Sequence, residues 1–334
     1  MTRRLQAAHA LASGWALMAI AAPLAALELV VPVDCKVGQG CFIQQYMDHD
    51  PSREARDYAC GTATYDDHDG TDFRLRTTRE AEQGVAVLAA AAGTVTAHRD
   101  GMADVLRRTP DDLRRISDRE CGNGVVVDHG DGWETQYCHL KRGSLAVETG
   151  DDVEAGQTLG EIGYSGAASF PHVHLTVRQD GEAVDPFLGP DADPEACGTG
   201  AKPLWTSAAL ADLDYEPGRI IDIGFAPGPM ELQALETGTV QETIPDRNSP
   251  AIVAWGWAVN LQDGDEIVVV LGGPDGGELA RNSVTLDSSK AQRMLFAGTR
   301  PPAAGWPAGL YTATFTVSRA GAPAMSDQRE LLIE

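Results

Sequence analysis

Cys121-Gly-Asn-Gly-Val-Val-Val-Asp-His-Gly-Asp-Gly-Trp-Glu-Thr-Gln-Tyr-Cys-His-Leu140 is the stretch on which the fold turns. Two β-forming runs, Gly124-Val-Val-Val127 and Glu134-Thr-Gln-Tyr137, flank a segment rich in Asp and Gly, which reads as a hairpin with a short loop near Gly130. In such a hairpin Cys121 and Cys138 stand opposite each other or one position off, within bridging reach. The same grammar recurs on both sides, in Val85-Ala-Val-Leu88, Gly93-Thr-Val-Thr96 and Val173-His-Leu-Thr-Val177. Short strands punctuated by Gly and Asp predict an all-β barrel or sandwich. Residues 103–119 break the pattern. They are charged, carry Leu106, Leu113 and Ile116 near helical spacing, and are interrupted by Pro110, so a helical excursion on a loop is expected there.

Further out, residues 27–65 are irregular, and residues 186–204 are rich in Pro, Gly, Ala and Asp, as a linker or a strap would be. A second β pattern begins near Arg219 and continues through Ala251-Ile-Val-Ala-Trp-Gly-Trp-Ala258, Glu266-Ile-Val-Val-Val-Leu271 and Leu310-Tyr-Thr-Ala-Thr-Phe-Thr-Val317. Period-two alternation over five or more strands predicts an immunoglobulin-like β-sandwich. Trp255 and Trp257 share one strand face and are expected in its core rather than against a ligand. The organisation is therefore 1–26 leader, 27–65 irregular segment, 66–190 first β domain, 191–216 linker and 217–334 sandwich.

The 334 residues include 26 basic and 49 acidic side chains. That balance disfavours nucleic-acid binding, which needs basic patches to replace phosphate counterions, and docking on an anionic membrane. Hydrophobic residues make up 43%, enough for packed cores. Arg3 and Arg4, the apolar run Trp15–Ala22 and the small residues Ala25 and Ala26 have the layout of a secretory signal, so an exported chain, periplasmic or extracellular, is expected. The run is too short to cross a bilayer, and no later segment is apolar enough to do so. All six cysteines lie beyond the leader, as expected for disulfides in an oxidising compartment. Six cysteines allow 15 pairings. After Cys121–Cys138, the pair Cys35–Cys41 is the next expectation, which leaves Cys60 for Cys197. There is no Cys-x-x-Cys, which disfavours a thiolate metal site.

Of eight histidines, His9 falls in the leader, His49 and His98 have no evident partner, and His129 reads as a solvated turn residue. Four remain. His68-Asp-Gly-Thr-Asp72 places an imidazole and a carboxylate where a loop enters a strand. His172-Val-His174 places two imidazoles on one strand face. His139 ends the strand of the opening hairpin. Imidazole and carboxylate are suitable zinc ligands, and three of them leave the open position of a catalytic site. The remaining imidazoles could move protons and stabilise an oxyanion. Spacing alone does not sort these histidines into ligands and catalysts.

In order and spacing, residues 66–187 resemble the lysostaphin/LytM family of zinc endopeptidases. The resemblance rests on His68-x-Gly-x-Asp72-Phe73, Gly122-Asn-Gly-Val-Val-Val-Asp-His-Gly-Asp-Gly132, Tyr137-x-His139-Leu140, Gly150-Asp-Asp-Val, Ala155-Gly-Gln-Thr-Leu-Gly160, Ile162-Gly-Tyr-Ser-Gly166, Pro171-His-Val-His174 and Val184-Asp-Pro186. It implies a duplicated-hybrid-motif (barrel-sandwich) catalytic domain. It implies one Zn2+ per chain on His68, Asp72 and His174, with His139 and His172 as catalytic histidines. It also implies a substrate among the stem or cross-bridge peptides of bacterial peptidoglycan. The alternative is a catalytically silent member that docks on a cell-wall amidase or on the wall; all five site residues are present, which favours the enzyme. The sandwich is expected to offer a wall or protein partner surface. Two features depart from the family pattern: the 103–119 excursion, expected to restrict or cover the site if it borders it, and the loop Ala167-Ala-Ser-Phe-Pro171. Tyr65 is off the offset of the family's tyrosine and is given no role.

Overall fold

In the computed structural model, residues 27–193 and 196–334 are described, so the leader expected over residues 1–26 lies outside the described residues. The first unit holds strands β1 (Phe42–Gln45), β2 (Thr71–Arg74), β3 (Ala86–Leu88), β4 (Gly93–Arg99), β5 (Asn123–Gly130), β6 (Trp133–Leu140), β7 (Asp152–Val153), β8 (Thr158–Glu161), β9 (His172–Gln179) and β10 (Glu182–Ala183). The second holds β11 (Arg219–Ala226), β12 (Ile252–Leu261), β13 (Glu266–Gly272), β14 (Glu278–Thr285), β15 (Lys290–Thr299), β16 (Gly309–Arg319) and β17 (Ala322–Ile333). The helices are short: α1 (Thr78–Gln83), α2 (Pro110–Arg114), α3 (Ser207–Asp212) and α4 (Leu232–Glu236). The chain is all-β, as the turn-rich alternation requires.

The main sheet of the first unit runs β1-β2-β9-β6-β5-β4-β7, with β10 on β9, and β3-β8 form a small second sheet. Its core is the expected alternation made physical. Val125, Val127, Tyr137, Val173, Leu175 and Val177 are buried on one face, while His172, His174 and Thr176 take the other. The opening hairpin turns at Asp131-Gly132, both at positive φ, as a tight two-residue connection demands. All three expected disulfides are present: Cys35–Cys41, Cys60–Cys197 and Cys121–Cys138. Segments flanking the sheet belong to its core: Leu29 and Val33 before it, and Leu188, Leu204 and Trp205 after it, are all buried there, as is Tyr46 between β1 and β2. The proline- and glycine-rich stretch is thus a strap, pinned by Cys60–Cys197 and by the Leu29–Trp205 bridge.

The excursion differs from expectation. Only Pro110–Arg114 is helical. Pro110 opens this turn instead of interrupting a longer helix, because Thr109 caps it in a capping box with Asp112. Leu113 is exposed, and only Ile116 packs inward.

In the second unit a three-stranded sheet (β11-β12-β15) faces a four-stranded one (β14-β13-β16-β17). Ile252, Ala254, Ala258, Val269, Tyr311, Phe315 and Val317 meet between them. Gly256 is needed at the crossing, since a Cβ there would strike the Phe315 ring. Every residue of β12 is buried. Trp255 and Trp257 are indeed buried, at 2% and 0% exposure, but not in the sandwich interior. They lie on the outer face of β12 in a separate cluster with Val259, Leu235 of α4 and Phe42 of the first unit. The two units therefore share an apolar seam, bordered by hydrogen bonds from Gln45 Nε2 to Asn260 Oδ1 (3.0 Å) and from Asn260 Nδ2 to the Gln44 carbonyl (2.5 Å).

Asp265 closes the β12–β13 turn. It is fully buried, accepts from Arg319 Nε and Nη2 at 2.9 Å each and from the Gln262 amide at 2.8 Å. Burial pushes its carboxyl up, but the Arg319 and Gln262 hydrogen bonds outweigh that and hold it below the usual carboxylate range. A carboxyl depressed by folding contributes stability above its unfolded value, about 3.9, and loses it as the pH falls through the folded one. Asp265→Asn is therefore expected to lower stability to urea by about 1.5–3 kcal/mol at pH 7, the range for hydrogen bonds to a charged group. The gap between variant and wild type should close as the pH is taken below 3.9; a gap independent of pH would mean that the charge is not what matters.

Candidate metal centre

Asp72 on β2, His174 on β9 and Cys138 on β6 are direct cross-strand partners, Asp72↔His174 and Cys138↔His174. Residues opposite one another share a face, so the carboxylate and the imidazole meet by register alone. His68 arrives from the preceding loop. Gly70 lets it do so, because a Cβ there would sit 2.5 Å from the Leu175 carbonyl and 2.7 Å from the His174 ring. The result is a compact triangle: His68 Nε2 to Asp72 Oδ1 3.2 Å, His68 Nε2 to His174 Nδ1 3.1 Å, and His174 Nδ1 to Asp72 Oδ1 2.9 Å. Among the described residues this is the group able to hold a metal ion.

The outer atoms of the triangle fix what the inner ones are. His68 Nδ1 lies 2.5 Å from the Tyr46 carbonyl and donates to it, which leaves Nε2 with a lone pair. His174 Nε2 lies 3.1 Å from Asp69 Oδ1 and 3.0 Å from Thr176 Oγ1. When it donates there, Nδ1 also presents a lone pair. With the Asp72 oxygen, three acceptors then face one point with no donor among them. Such an arrangement repels itself unless a cation sits between. Zinc ligands at about 2.0–2.2 Å in tetrahedral geometry lie roughly 3.3–3.6 Å apart, close to the edges observed, so these residues fit zinc. A proton can relieve the same repulsion. Burial pushes His174 down, but its hydrogen bonds to Asp69 and Asp72 outweigh this and raise it to about 9. Burial likewise pushes Asp72 up, yet His172, His68 and His174 together hold it well below the carboxylate range.

His139 reaches the site by a device that spacing did not reveal. Continued alternation after Cys138 would turn it toward the core. Instead β6 carries an extra residue against β5: Val125 pairs with Tyr137 and Asn123 with Leu140. His139 takes positive φ, 65°, in this bulge, and the bulge re-aims it onto the metal face. The Cys121–Cys138 disulfide and the 2.8 Å bond from the His139 amide to the Cys121 carbonyl clamp the bulge. The His139 and His172 rings lie 4.5 Å apart. Each donates Nδ1–H to a carbonyl, His139 to Ser165 (2.8 Å) and His172 to Phe170 (2.9 Å), so each neutral ring keeps a basic Nε2. Burial is the main cause that pushes both below the usual histidine value, and both are neutral at pH 7.

All five residues singled out from sequence thus converge. Two of them, His139 and His174, line an open cleft of about 240 Å³ together with Tyr65, Glu120, Gln136 and Arg178. Tyr65, assigned no role from sequence, lies with its ring 4.5 Å from His68. Asp69, also unassigned, braces His174 and receives Arg178 at 3.4 Å; its place in His-Asp-Gly-Thr-Asp was a usable signal. The excursion flanks the cleft, with Glu120 at its edge and Asp104 accepting from the Tyr164 and Arg142 amides at 2.9 Å each. The other described histidines, His49, His98 and His129, have partners elsewhere. His49, expected without a partner, sits 2.7 Å from Asp185, and His129, expected to be solvated, bridges the Ala92 carbonyl and Thr135.

An all-β domain with an open His–Asp–His cleft defines the class. Residues 66–186 match the family model of Peptidase family M23 and form a peptidase M23 domain. Over 73 residues the chain is 38% identical to the cell division protein DipM of Caulobacter vibrioides, covering 20% of this chain and 12% of that protein. Over 65 residues it is 37% identical to the peptidoglycan DD-endopeptidase ShyC of Vibrio cholerae, covering 20% of this chain and 14% of that one. These matches span only a small part of the relatives' own lengths. The catalytic domain of the antimicrobial peptidase lysostaphin from Staphylococcus simulans is 25% identical at a TM-score of 0.27, covering 36% of this chain and 77% of that one.

Asp69 is half exposed and can be changed without disturbing the core. Outer carboxylates that orient a ligand histidine are worth roughly 10- to 100-fold in metal affinity. Asp69→Asn is expected to weaken zinc binding about tenfold in competition with a chromophoric chelator; unchanged affinity would show that Thr176 alone orients His174.

Proposed function

We propose that this chain is an exported zinc metalloendopeptidase that hydrolyses peptide bonds in bacterial peptidoglycan. His68, Asp72 and His174 hold one zinc ion, and His139 and His172 act on the substrate. The observation that supports this reading most is the triangle of inward lone pairs opening beside two neutral imidazoles. The peptidase M23 domain and the relative named as a peptidoglycan endopeptidase support the substrate class. The leader-like residues 1–26 and the three disulfides support export. Among the described residues no helix is long and apolar enough to cross a membrane.

His68, Asp72 and His174 would hold the zinc, which would supply Lewis acidity and lower the pKa of water to about 7. The residues of the chain do the rest. His68 and His174 are held in one tautomer by Tyr46 and by Asp69 with Thr176. The Nε2 atoms of His139 and His172 are unprotonated at neutral pH, so one of the two rings accepts the proton that the attacking water gives up. That ring, once protonated, donates to the oxyanion and then passes the proton to the leaving amine. Tyr65 stays protonated, since partial burial with Asp72 and Asp69 nearby pushes its phenol up, and it offers an O–H at the cleft mouth.

The purified chain is expected to bind one equivalent of zinc by elemental analysis and to release peptide fragments from defined sacculi by mass spectrometry. A chain that takes up zinc yet releases nothing is the silent docking protein instead. His139→Ala should keep its zinc and lose roughly 100-fold or more in turnover. Activity at the wild-type level would remove His139 from the reaction.

A further inference from the structure

The seam between the two units reaches the metal face through one side chain. Arg74 is fully buried and pairs with His172 across β2 and β9. Its guanidinium carbon lies 4.4 Å from the Phe170 ring centroid and 5.2 Å from that of Trp257, so it is held between a loop of the first unit and β12 of the second. The Phe170 ring in turn lies 4.6 Å from the His172 ring, and the Phe170 carbonyl takes the His172 Nδ1–H. Arg74 also donates to Gln44 Oε1 and, at 3.4 Å, to Gln292 Oε1 on β15.

Gln292 passes the contact on. Its Nε2 donates to Glu236 Oε1 at 2.8 Å. Glu236 ends α4 and is 3% exposed. Its other oxygen accepts from Arg108 Nη2 at 2.5 Å. Arg108 belongs to the 103–119 excursion, and the neighbouring Arg107 amide donates to the Ala168 carbonyl at 2.8 Å. The loop 166–171 is therefore gripped at two points, Ala168 and Phe170, and both grips lead to one carboxylate of the second unit. Burial pushes the Arg74 guanidinium down to about 9, and Glu236 is the first of the acidic charges that work against that shift.

We infer that Glu236 is a positioning residue for His172: the second unit is a brace of the catalytic face, holding the Phe170 loop through Arg108 on one arm and Gln292–Arg74 on the other. This rests on the reading of His172 as a group that acts on substrate. Errors of about 1 Å in the placement of a reacting group can cost about 100-fold. Glu236→Ala, which severs both arms, is thus expected to lower kcat about 10- to 100-fold with KM and zinc content unchanged. Arg108→Ala, at a partly exposed side chain, cuts one arm and should lower kcat by a smaller factor. Adding it to Glu236→Ala should cost nothing further, because the arm is already lost. In parallel, hydrogen exchange of the Ala167 and His172 amides should speed up in Glu236→Ala while β5 and β6 keep their protection. Wild-type kcat in zinc-replete, folded Glu236→Ala overturns the proposal, as does full additivity of the two substitutions. Should the wild-type chain release no peptide, the hydrolase reading fails and exchange decides alone: unchanged protection over 166–172 then overturns the brace. If Glu236→Ala does not fold, Arg108→Ala decides by the same two measurements.

Discussion

Three acceptor atoms at mutual distances of 2.9–3.2 Å, with both imidazoles oriented by hydrogen bonds from outside, form the constraint around which the first unit is organised. As lone pairs they would repel one another, so the surrounding structure must hold the three atoms in place. The sheet supplies that rigidity. Asp72 and His174 are fixed by cross-strand register, and the opposite faces of their strands are anchored by Phe73, Val173 and Leu175 in the core. A one-residue slip of β2 against β9 would carry the carboxylate to the core face, at the cost of burying an unpaired charge there. Apolar packing on one face thus sets the geometry of polar groups on the other.

The rest of the site departs from regular structure where a regular strand could not serve. His139 would face Val173 if β6 continued its alternation, and the bulge redirects it at the expense of a left-handed backbone. The Cys121–Cys138 disulfide stands directly beside that bulge, so the covalent link secures a strained residue as well as the hairpin. Gly70 plays the complementary part by giving up a side chain so that His174 can occupy its space.

The second unit is joined to this frame more closely than a tethered module would be. β12 is buried on both faces, one in the sandwich and one in the seam with Phe42 and α4. Indoles that could have served as a recognition surface are spent on holding the units together. The buried guanidinium of Arg74 crosses this seam, flanked by aromatic rings from both units. A buried charge is tolerated only with such partners, so parting the units at this seam would strip the guanidinium of some of them.

The sequence by itself determined a good deal. The period-two runs, the Asp-Gly turn and the flanking cysteines identified the opening hairpin and its disulfide. The His-x-His spacing put two imidazoles on one strand face, and the donor types pointed to a metal. These features are local: they depend on strand period and turn chemistry, which a few consecutive residues encode. Only the tertiary structure decided the rest. The bulge at His139 depends on a count of residues on the partner strand. The role of Asp69 depends on where His174 comes to rest from a hundred residues away. The single helical turn in the excursion depends on Thr109 capping ahead of Pro110, against a spacing that suggested more. Trp255 and Trp257 are buried by a segment far from them in sequence, because a strand reports the polarity of its own two faces and not what will come to cover them.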